Sequence, residues 1–262
     1  LSSQELLSMN EVAPGIFVHQ GAHLDVDEGY QGDICNIGFI IGKNSVAVID
    51  TGGSDSIGYA LFSEIKKRTN LPIKYVINTH VHLDHIYGNV AFKIDGVEFI
   101  GHENLPKAMK FRKNFYEEIN LRYQNIPYDR SIQVSPSLLV KVTQPLEIDL
   151  GDRVLKITAY PAAHTNTDVT VEDYTTSTLW TGDLLFIERA PVVDGDIHGF
   201  IKAINSLMEV KLKLLIPGHG TPTFEPNIAW NKIRHYLIIL RDGIRVAIDE
   251  GLDLQMAIDT VA

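Results

Sequence analysis

The sequence predicts an α/β fold of two similar ββα-rich halves packed face to face, with a polar site where their strands end. Three observations carry this. Short apolar, β-branched runs alternate with stretches whose apolar residues recur at helical spacing. The second half repeats the style of the first, strand, strand, then a turn with an acidic residue: Asp50-Thr51-Gly52 in one and Gly182-Asp183 in the other. Histidines and aspartates, residues that can hold a metal, follow several of these runs.

The elements follow in order. Residues 16–19, 37–42 and 46–50 read as strands, the last two joined by the hairpin-type turn Lys43-Asn44-Ser45. Residues 23–33, rich in Asp, Gly and Glu, read as a solvated hairpin tip; the alternative is a loop overhanging the site, with His23 and Tyr30 touching substrate. Asp50-Thr51-Gly52-Gly53 closes a strand, with Asp50 expected to order a neighbouring loop rather than bind metal itself. Residues 54–68 carry Ile57, Leu61 and Ile65 at helical spacing and read as a surface helix. Residues 73–78 are apolar and β-branched, a buried strand, and 86–93 can start a helix. Residues 97–100 form a short strand ending at His102, a structural hydrogen-bonder in the favoured reading. Residues 104–124 are helical, and their stripe of Phe111, Phe115, Tyr116 and Tyr123 is core packing or one wall of a cleft. Residues 125–136 link to the second half. There, 146–148, 153–160, 169–172 and 177–181 read as strands. Residues 198–210 read as a helix with Ile201, Ile204 and Leu207 on one face, and 226–250 as a long helix with Trp230, Ile233, Leu237 and Leu240 inward.

Composition narrows what the chain can do. With 262 residues and 45% hydrophobic, it can bury one large core, and one domain over 1–262 is expected. A net charge of −10 argues against nucleic acid or an anionic membrane surface as partner. The single cysteine, Cys35, rules out an intrachain disulfide. No apolar run approaches the ~18 residues that membrane insertion needs. The opening Leu1-Ser2-Ser3-Gln4 lacks Met, which fits removal of a signal peptide and fits any other trimming equally. Nothing in the pattern speaks to oligomeric state.

The densest chemistry is Thr79-His80-Val81-His82-Leu83-Asp84-His85, on a strand-to-helix turn where side chains can converge. Imidazole nitrogens and carboxylate oxygens are the ligands that Zn²⁺, Fe or Mn take. His80 and His82 can grip one ion, and Asp84 and His85 can turn to a second. His164, Asp183 and His219 each follow an apolar run and supply what two sites still need.

On these residues the chain resembles the metallo-β-lactamase fold superfamily. The match runs from the Asp50-Thr51-Gly52 turn through His-x-His-x-Asp-His at 80–85, His164 and Gly182-Asp183 to Gly218-His219-Gly220, over about residues 14–222. It implies a four-layer αββα sandwich with the site at one edge. It implies that His80, His82 and His164 hold a first metal, that Asp84, His85 and His219 hold a second, and that Asp183 bridges them. Two Zn²⁺ are the expected cofactors, with Fe or Mn as alternatives. The run Gly182-Asp183-Leu184-Leu185-Phe186 with Glu188-Arg189 and Pro191, the Asp194-Gly195 before the 198–210 helix and Asn36-Ile37-Gly38-Phe39 look like one subgroup, the quinoprotein-associated or SoxH-like zinc metallohydrolases. That subgroup implies export to the periplasm; a cytoplasmic home is the alternative. Many true zinc β-lactamases have Cys where this chain has Asp183 and lack His85 as a ligand, so the set resembles the glyoxalase-II and lactonase branches more.

The implied chemistry is hydrolysis of a small carboxylic derivative (thioester, lactone, ester or β-lactam) by a metal-bridging hydroxide. Asp84 is the expected catalytic residue, both ligand and proton acceptor. Asn166, Arg189 and Thr221 are the expected substrate contacts. Arg189 either holds a substrate carboxylate bidentately or pairs with Glu188 or Asp194. The alternative function is a mononuclear iron sulfur dioxygenase using part of the same ligands.

Overall fold

The first half of the chain hydrogen-bonds into one sheet of seven strands, laid side by side in chain order. β1 (Asn10–Ala13), β2 (Ile16–His19), β3 (Ile37–Ile41) and β4 (Val46–Ile49) form an antiparallel meander. β5 (Ile73–Ile77), β6 (Glu98–His102) and β7 (Leu138–Val140) extend it in parallel. The second half gives a sheet ordered β12-β11-β10-β9-β8. β8 (Leu146–Asp149), β9 (Val154–Ala159), β10 (Val169–Asp173) and β11 (Thr178–Phe186) run antiparallel, and β12 (Leu214–His219) lies parallel to β11. The computed structural model describes residues 7–261, so the Leu1-Ser2-Ser3-Gln4 start lies outside the described residues.

The two sheets pack on each other through Ile16, Ile40, Ile49 and Ile77 from one and Ile157, Val171, Trp180 and Ile216 from the other. Burying each such side chain stabilises by about 1.5–3 kcal/mol. The outer face of the first sheet is covered by α1 (Asp55–Arg68) and a 3₁₀ stretch, Tyr87–Phe92. Their Leu61, Ile65 and Phe92 meet Phe39, Val48 and Val76. The outer face of the second is covered by α4 (Ile197–Met208) and α5 (Pro226–Asp249), through Phe200, Ile204, Trp230 and Leu237. The result is the αββα order of layers that the sequence predicts. With both faces covered, central strands are apolar throughout. Val46, Ala47, Val48 and Ile49 are all buried, which is why such runs read as continuous rather than alternating.

Local chemistry sets the helix ends. Ser54 Oγ accepts from the Ile57 backbone N–H at 3.2 Å at the start of α1, and Lys66, Lys67 and Arg68 stand in its last turn, facing the negative end of the dipole. α3 (Leu105–Gln124) ends in the left-handed Asn125.

Four details differ from the sequence reading. The helix after the His/Asp motif starts inside it, as the short α2 (Leu83–Ile86), and tightens into the 3₁₀ stretch instead of running on from residue 86. Two contacts hold it there: Gly88 N donates to Gly52 O at 3.0 Å, and Gly88 lies so close to α1 that a Cβ on Gly58 would sit 2.2 Å from the Gly88 carbonyl. β7 belongs to the first sheet, so the halves divide after residue 140 rather than within 125–136. β11 runs on past 181 to Phe186, which puts Asp183 inside a strand. β1 and the short helix α6 (Leu254–Val261) were not foreseen: β1 is four residues long with Asn10 and Glu11 exposed, and α6 buries no residue.

Candidate metal centre

The seven predicted ligands converge at one edge of the sandwich. His80 and His82 lie on the loop after β5, and Asp84 and His85 on α2. His164 lies on the loop after β9, Asp183 within β11 and His219 at the end of β12. Asp183 reaches in because β11 is irregular there: the pairing with β12 slips on both sides of Gly182, whose φ is +51°. Beneath it, a Cβ on Gly218 would lie 1.8 Å from Asp183 Oδ1, so only glycine leaves room.

Each of the five histidines has one ring nitrogen engaged away from the centre. His80 Nδ1 donates to Thr79 Oγ1 at 3.0 Å, and that hydroxyl in turn donates to Asp50 Oδ2 at 2.7 Å. His82 Nε2 donates to Asp194 Oδ2 at 2.8 Å, and His85 Nδ1 to Asp50 Oδ2 at 2.7 Å. His164 Nδ1 donates to the Val192 carbonyl at 2.7 Å, and His219 Nδ1 to the Ile34 carbonyl at 2.8 Å. Each bond places the single proton of a neutral imidazole on the outer nitrogen and leaves the inner lone pair bare. Asp50 is the organiser that the sequence reading expected: it also accepts from Thr79 N at 2.8 Å. Its own backbone is left-handed at φ +53°, a conformation Asp tolerates better than most residues.

The bare nitrogens meet around the two carboxylates. Asp183 Oδ2 lies 3.5 Å from His80 Nε2 and 3.3 Å from both His164 Nε2 and His219 Nε2, and Asp183 Oδ1 lies 3.3 Å from His85 Nε2. Asp84 Oδ2 lies 3.3 Å from His85 Nε2 and 3.4 Å from His219 Nε2. Ligand atoms of His80, His82, His164 and Asp183 fall within 4.8 Å of one another, as do those of His85, Asp183 and His219, so Asp183 is common to both clusters.

A cation fits this centre. His80 Nε2, His85 Nε2 and Asp183 Oδ1 are buried without a hydrogen-bond partner, a costly state for polar atoms unless something else binds them. His82 Nδ1 and His164 Nε2 point their lone pairs at each other across 3.0 Å, which is repulsive without a positive charge between them. Burial alone would push both carboxyls up. Instead positive charge on the imidazoles around Asp183 holds it well below the usual carboxylate range, and the same charge on His85 and His219 brings Asp84 down to about 2. Burial disfavours charge on His85, yet the carboxylates of Asp84, Asp183 and Asp50 raise it well above its ordinary value. The site draws positive charge, and a metal ion supplies it as well as a proton does.

The centre opens into a cleft of about 680 Å³. One wall is α3, with Arg112, Phe115 and Tyr116; the facing walls are the 23–28 and 186–192 segments. Phe186 stacks on His219, centroids 5.2 Å apart and planes at 3°, and fixes that ring. His23 lies on the rim, while Tyr30 is core beneath it. Phe111 is 89% exposed and takes no part in the wall. His102 is structural: Nε2 donates to the Tyr160 carbonyl and Nδ1 accepts from Asn104 N.

The three expected substrate contacts fare differently. Arg189 lines the cleft, but its guanidinium donates to the Leu24 carbonyl and to Asp25, neither of the acidic partners expected. Asn166 and Thr221 are exposed and stand outside the cleft wall; the Asn166 carbonyl accepts from Asn104 and the Thr221 hydroxyl from Gln20. Sequence reasoning missed Arg112, whose NH1 donates to Asp194 Oδ2 at 2.7 Å, and the role of Asp194 as partner of His82. Arg112 lies one helical turn before the flagged Tyr116, and that spacing was the available signal. It also missed Cys35: burial pushes its thiol up, so it stays protonated and donates to the Asp84 carbonyl at 3.0 Å.

Comparisons with known proteins bear on the family and the fold. A sequence profile of the metallo-beta-lactamase superfamily matches residues 30–219. The Beta-lactamase-like protein 2 homolog of Drosophila melanogaster is 25% identical over 201 residues, 76% of this chain and 62% of the relative. The chain therefore spans less than two thirds of that relative's length. Among solved structures, a metallo beta lactamase from Hirschia baltica superposes with a TM-score of 0.68 at 17% identity, over 89% of this chain and 98% of that one. A metallo-beta-lactamase from Pontibacter korlensis gives 0.69 at 18%, over 87% and 99%. At such identities the likeness is one of fold.

Proposed function

The chain belongs to the metallo-beta-lactamase superfamily, and from that premise we propose that it is a dinuclear zinc hydrolase of a small carboxylic derivative: an ester, thioester, lactone or lactam. The observation that carries the reading is the set of five imidazoles, each with its outer nitrogen engaged and its inner nitrogen bare, around the two carboxylates of Asp84 and Asp183. His80, His82 and His164 would hold one ion, Asp84, His85 and His219 the other, and Asp183, common to both clusters, would bridge them. When bound, such a pair supplies a nucleophilic water at neutral pH and an electrophile for the substrate carbonyl.

The chain's own residues do the rest. Asp84 is positioned to accept the proton of the attacking water on its carboxylate, which its imidazole neighbours keep ionised. Asp50 holds the 79–85 loop in place through Thr79 and His85. Phe186 packs its ring against both His164 and His219 and holds their orientation. The finer placement among the quinoprotein-associated zinc metallohydrolases, a periplasmic home and one domain over the whole chain belong to the same proposal. They rest on the sequence patterns already named.

Metal analysis joined to anomalous scattering tests the reading. Two ions per chain are expected, bridged by Asp183. One fully occupied iron site with oxygen consumption would favour the mononuclear dioxygenase instead.

A further inference from the structure

The rim of the cleft carries a charge pattern that bears on the substrate. Among the described residues lining it, the fixed cations are Arg112 and Arg189. Neither is free. Arg112 NH1 donates to Asp194 Oδ2 at 2.7 Å and to the Tyr116 hydroxyl at 3.3 Å. Arg189 NH2 donates to the Leu24 carbonyl at 2.6 Å and pairs with Asp25. Glu28 and Glu188 add further negative charge to the same lining. Between these groups the wall is apolar: Leu24, Phe115, Ile119, Phe186, Pro191 and Val192. Phe115 is 64% exposed and Val192 53%, with water as their present neighbour.

We infer that this cleft takes an uncharged carboxylic derivative with an apolar chain or ring, and discriminates against one bearing a second, free carboxylate. A substrate carboxylate entering here would need a cation, and each available guanidinium is already held by a protein carboxylate. The charge of each arginine is thus already offset, and a further carboxylate would enter beside Asp25, Glu28 and Glu188 with no uncompensated rim cation to receive it. Like charges set that close disfavour it. An apolar chain does the opposite: it covers Phe115 and Val192 and removes their surface from water. The inference rests on the metal-hydrolase reading and narrows it. It disfavours lactams and thioesters whose scaffolds carry free carboxylates, and favours plain esters and lactones.

Two ligands of equal length make the test. Hexanohydroxamic acid and adipic acid monohydroxamate share the metal-binding head and differ by a terminal carboxylate. Each is titrated by calorimetry into zinc-loaded protein of measured zinc content, and p-nitrophenyl hexanoate and mono-p-nitrophenyl adipate are assayed alongside. The uncharged hydroxamate is expected to bind about three- to fivefold tighter, the order that partly exposed charge interactions reach. Asp25→Asn, which releases Arg189, is expected to shrink that ratio toward equality. Equal binding of the two hydroxamates, or preference for the acid, would overturn the inference. So would a ratio that Asp25→Asn leaves unmoved. If the uncharged hydroxamate is selected yet no ester or lactone turns over, the inference stands and the hydrolase reading falls. If zinc-loaded protein binds neither hydroxamate, both fall.

Discussion

Truncating Asp194 to alanine should weaken zinc binding without touching any ligand. Asp194 Oδ2 accepts from His82 Nε2 at 2.8 Å, and the same oxygen takes Arg112 NH1 at 2.7 Å. That acceptor fixes the tautomer in which His82 Nδ1 is bare, and its charge makes the imidazole a stronger donor to a cation. Removing the carboxylate partner of a ligating histidine costs about 10–100-fold in metal affinity, or about 1.4–2.7 kcal/mol at about 1.4 per decade. Asp194→Asn keeps an acceptor but loses the charge, so its loss should fall at or below the lower end. Arg112 is a sharper control. Its pair with the partly exposed Asp194 is worth about 0–1 kcal/mol, so Arg112→Gln should move affinity by no more than about fivefold. Competition with a chromophoric chelator at fixed pH reads the zinc dissociation constants. If Asp194→Ala, folded by circular dichroism, binds zinc within about threefold of the parent, the bond to His82 does not support the centre and the reasoning fails.

His82→Ala should lose metal and activity yet stay folded, because the ligand loops lie at the sheet edge; its Tm should drop, since bound metal favours the native state by mass action, about 2.7 kcal/mol at a hundred times Kd. Full metal content by elemental analysis would remove His82 from the ligand set. Asp84→Asn, assayed in saturating zinc with metal content measured, should lower kcat by about 10²–10⁴-fold; a rate within about threefold of the parent would leave Asp84 a structural ligand only. Gly218→Ala should expel metal while sparing the fold, because the new Cβ would lie 1.8 Å from Asp183 Oδ1; retained zinc would show that β11 can shift to make room. Ile157→Ala, fully buried between the sheets, should cost about 2–5 kcal/mol in urea unfolding with zinc removed, and a smaller loss would mean that the site collapses to fill the cavity.

The histidines were legible because they stand where apolar runs break, while Asp183 was read from the Gly182-Asp183 pair as a turn, where the structure continues the strand. The layer order came from the resemblance; the residues alone gave two ββα-rich halves packed face to face. What was hidden depends on partners that carry no residue identity. The groups fixing the tautomers of His164 and His219 are the carbonyls of Val192 and Ile34, and any residue supplies a carbonyl. The cleft wall was half legible. The aromatic stripe of α3 pointed to Tyr116, but which of its neighbours faces the site depends on the rotation of the helix, so Phe111 was included and Arg112 passed over. Arg189 lines the cleft and is ion-paired, one of the two alternatives the sequence left open, but its partner Asp25 lies 164 positions away and could not be foreseen. Asn166 and Thr221 each lie two positions past a ligand histidine, on loops that carry both side chains to the exposed surface.

The division of the ligands between the two sheets has a kinetic consequence. His80, His82, Asp84 and His85 come from the first sheet, while His164, Asp183 and His219 come from the second. No half alone can present more than part of the set, so metal capture must follow docking of the halves during folding. The reverse path is equally constrained: sliding one sheet off the other must tear ligands from the ions before the apolar interface opens. Loaded protein should therefore unfold more slowly by a larger factor than it refolds faster, and zinc would act as a clasp on lifetime more than as a guide to folding.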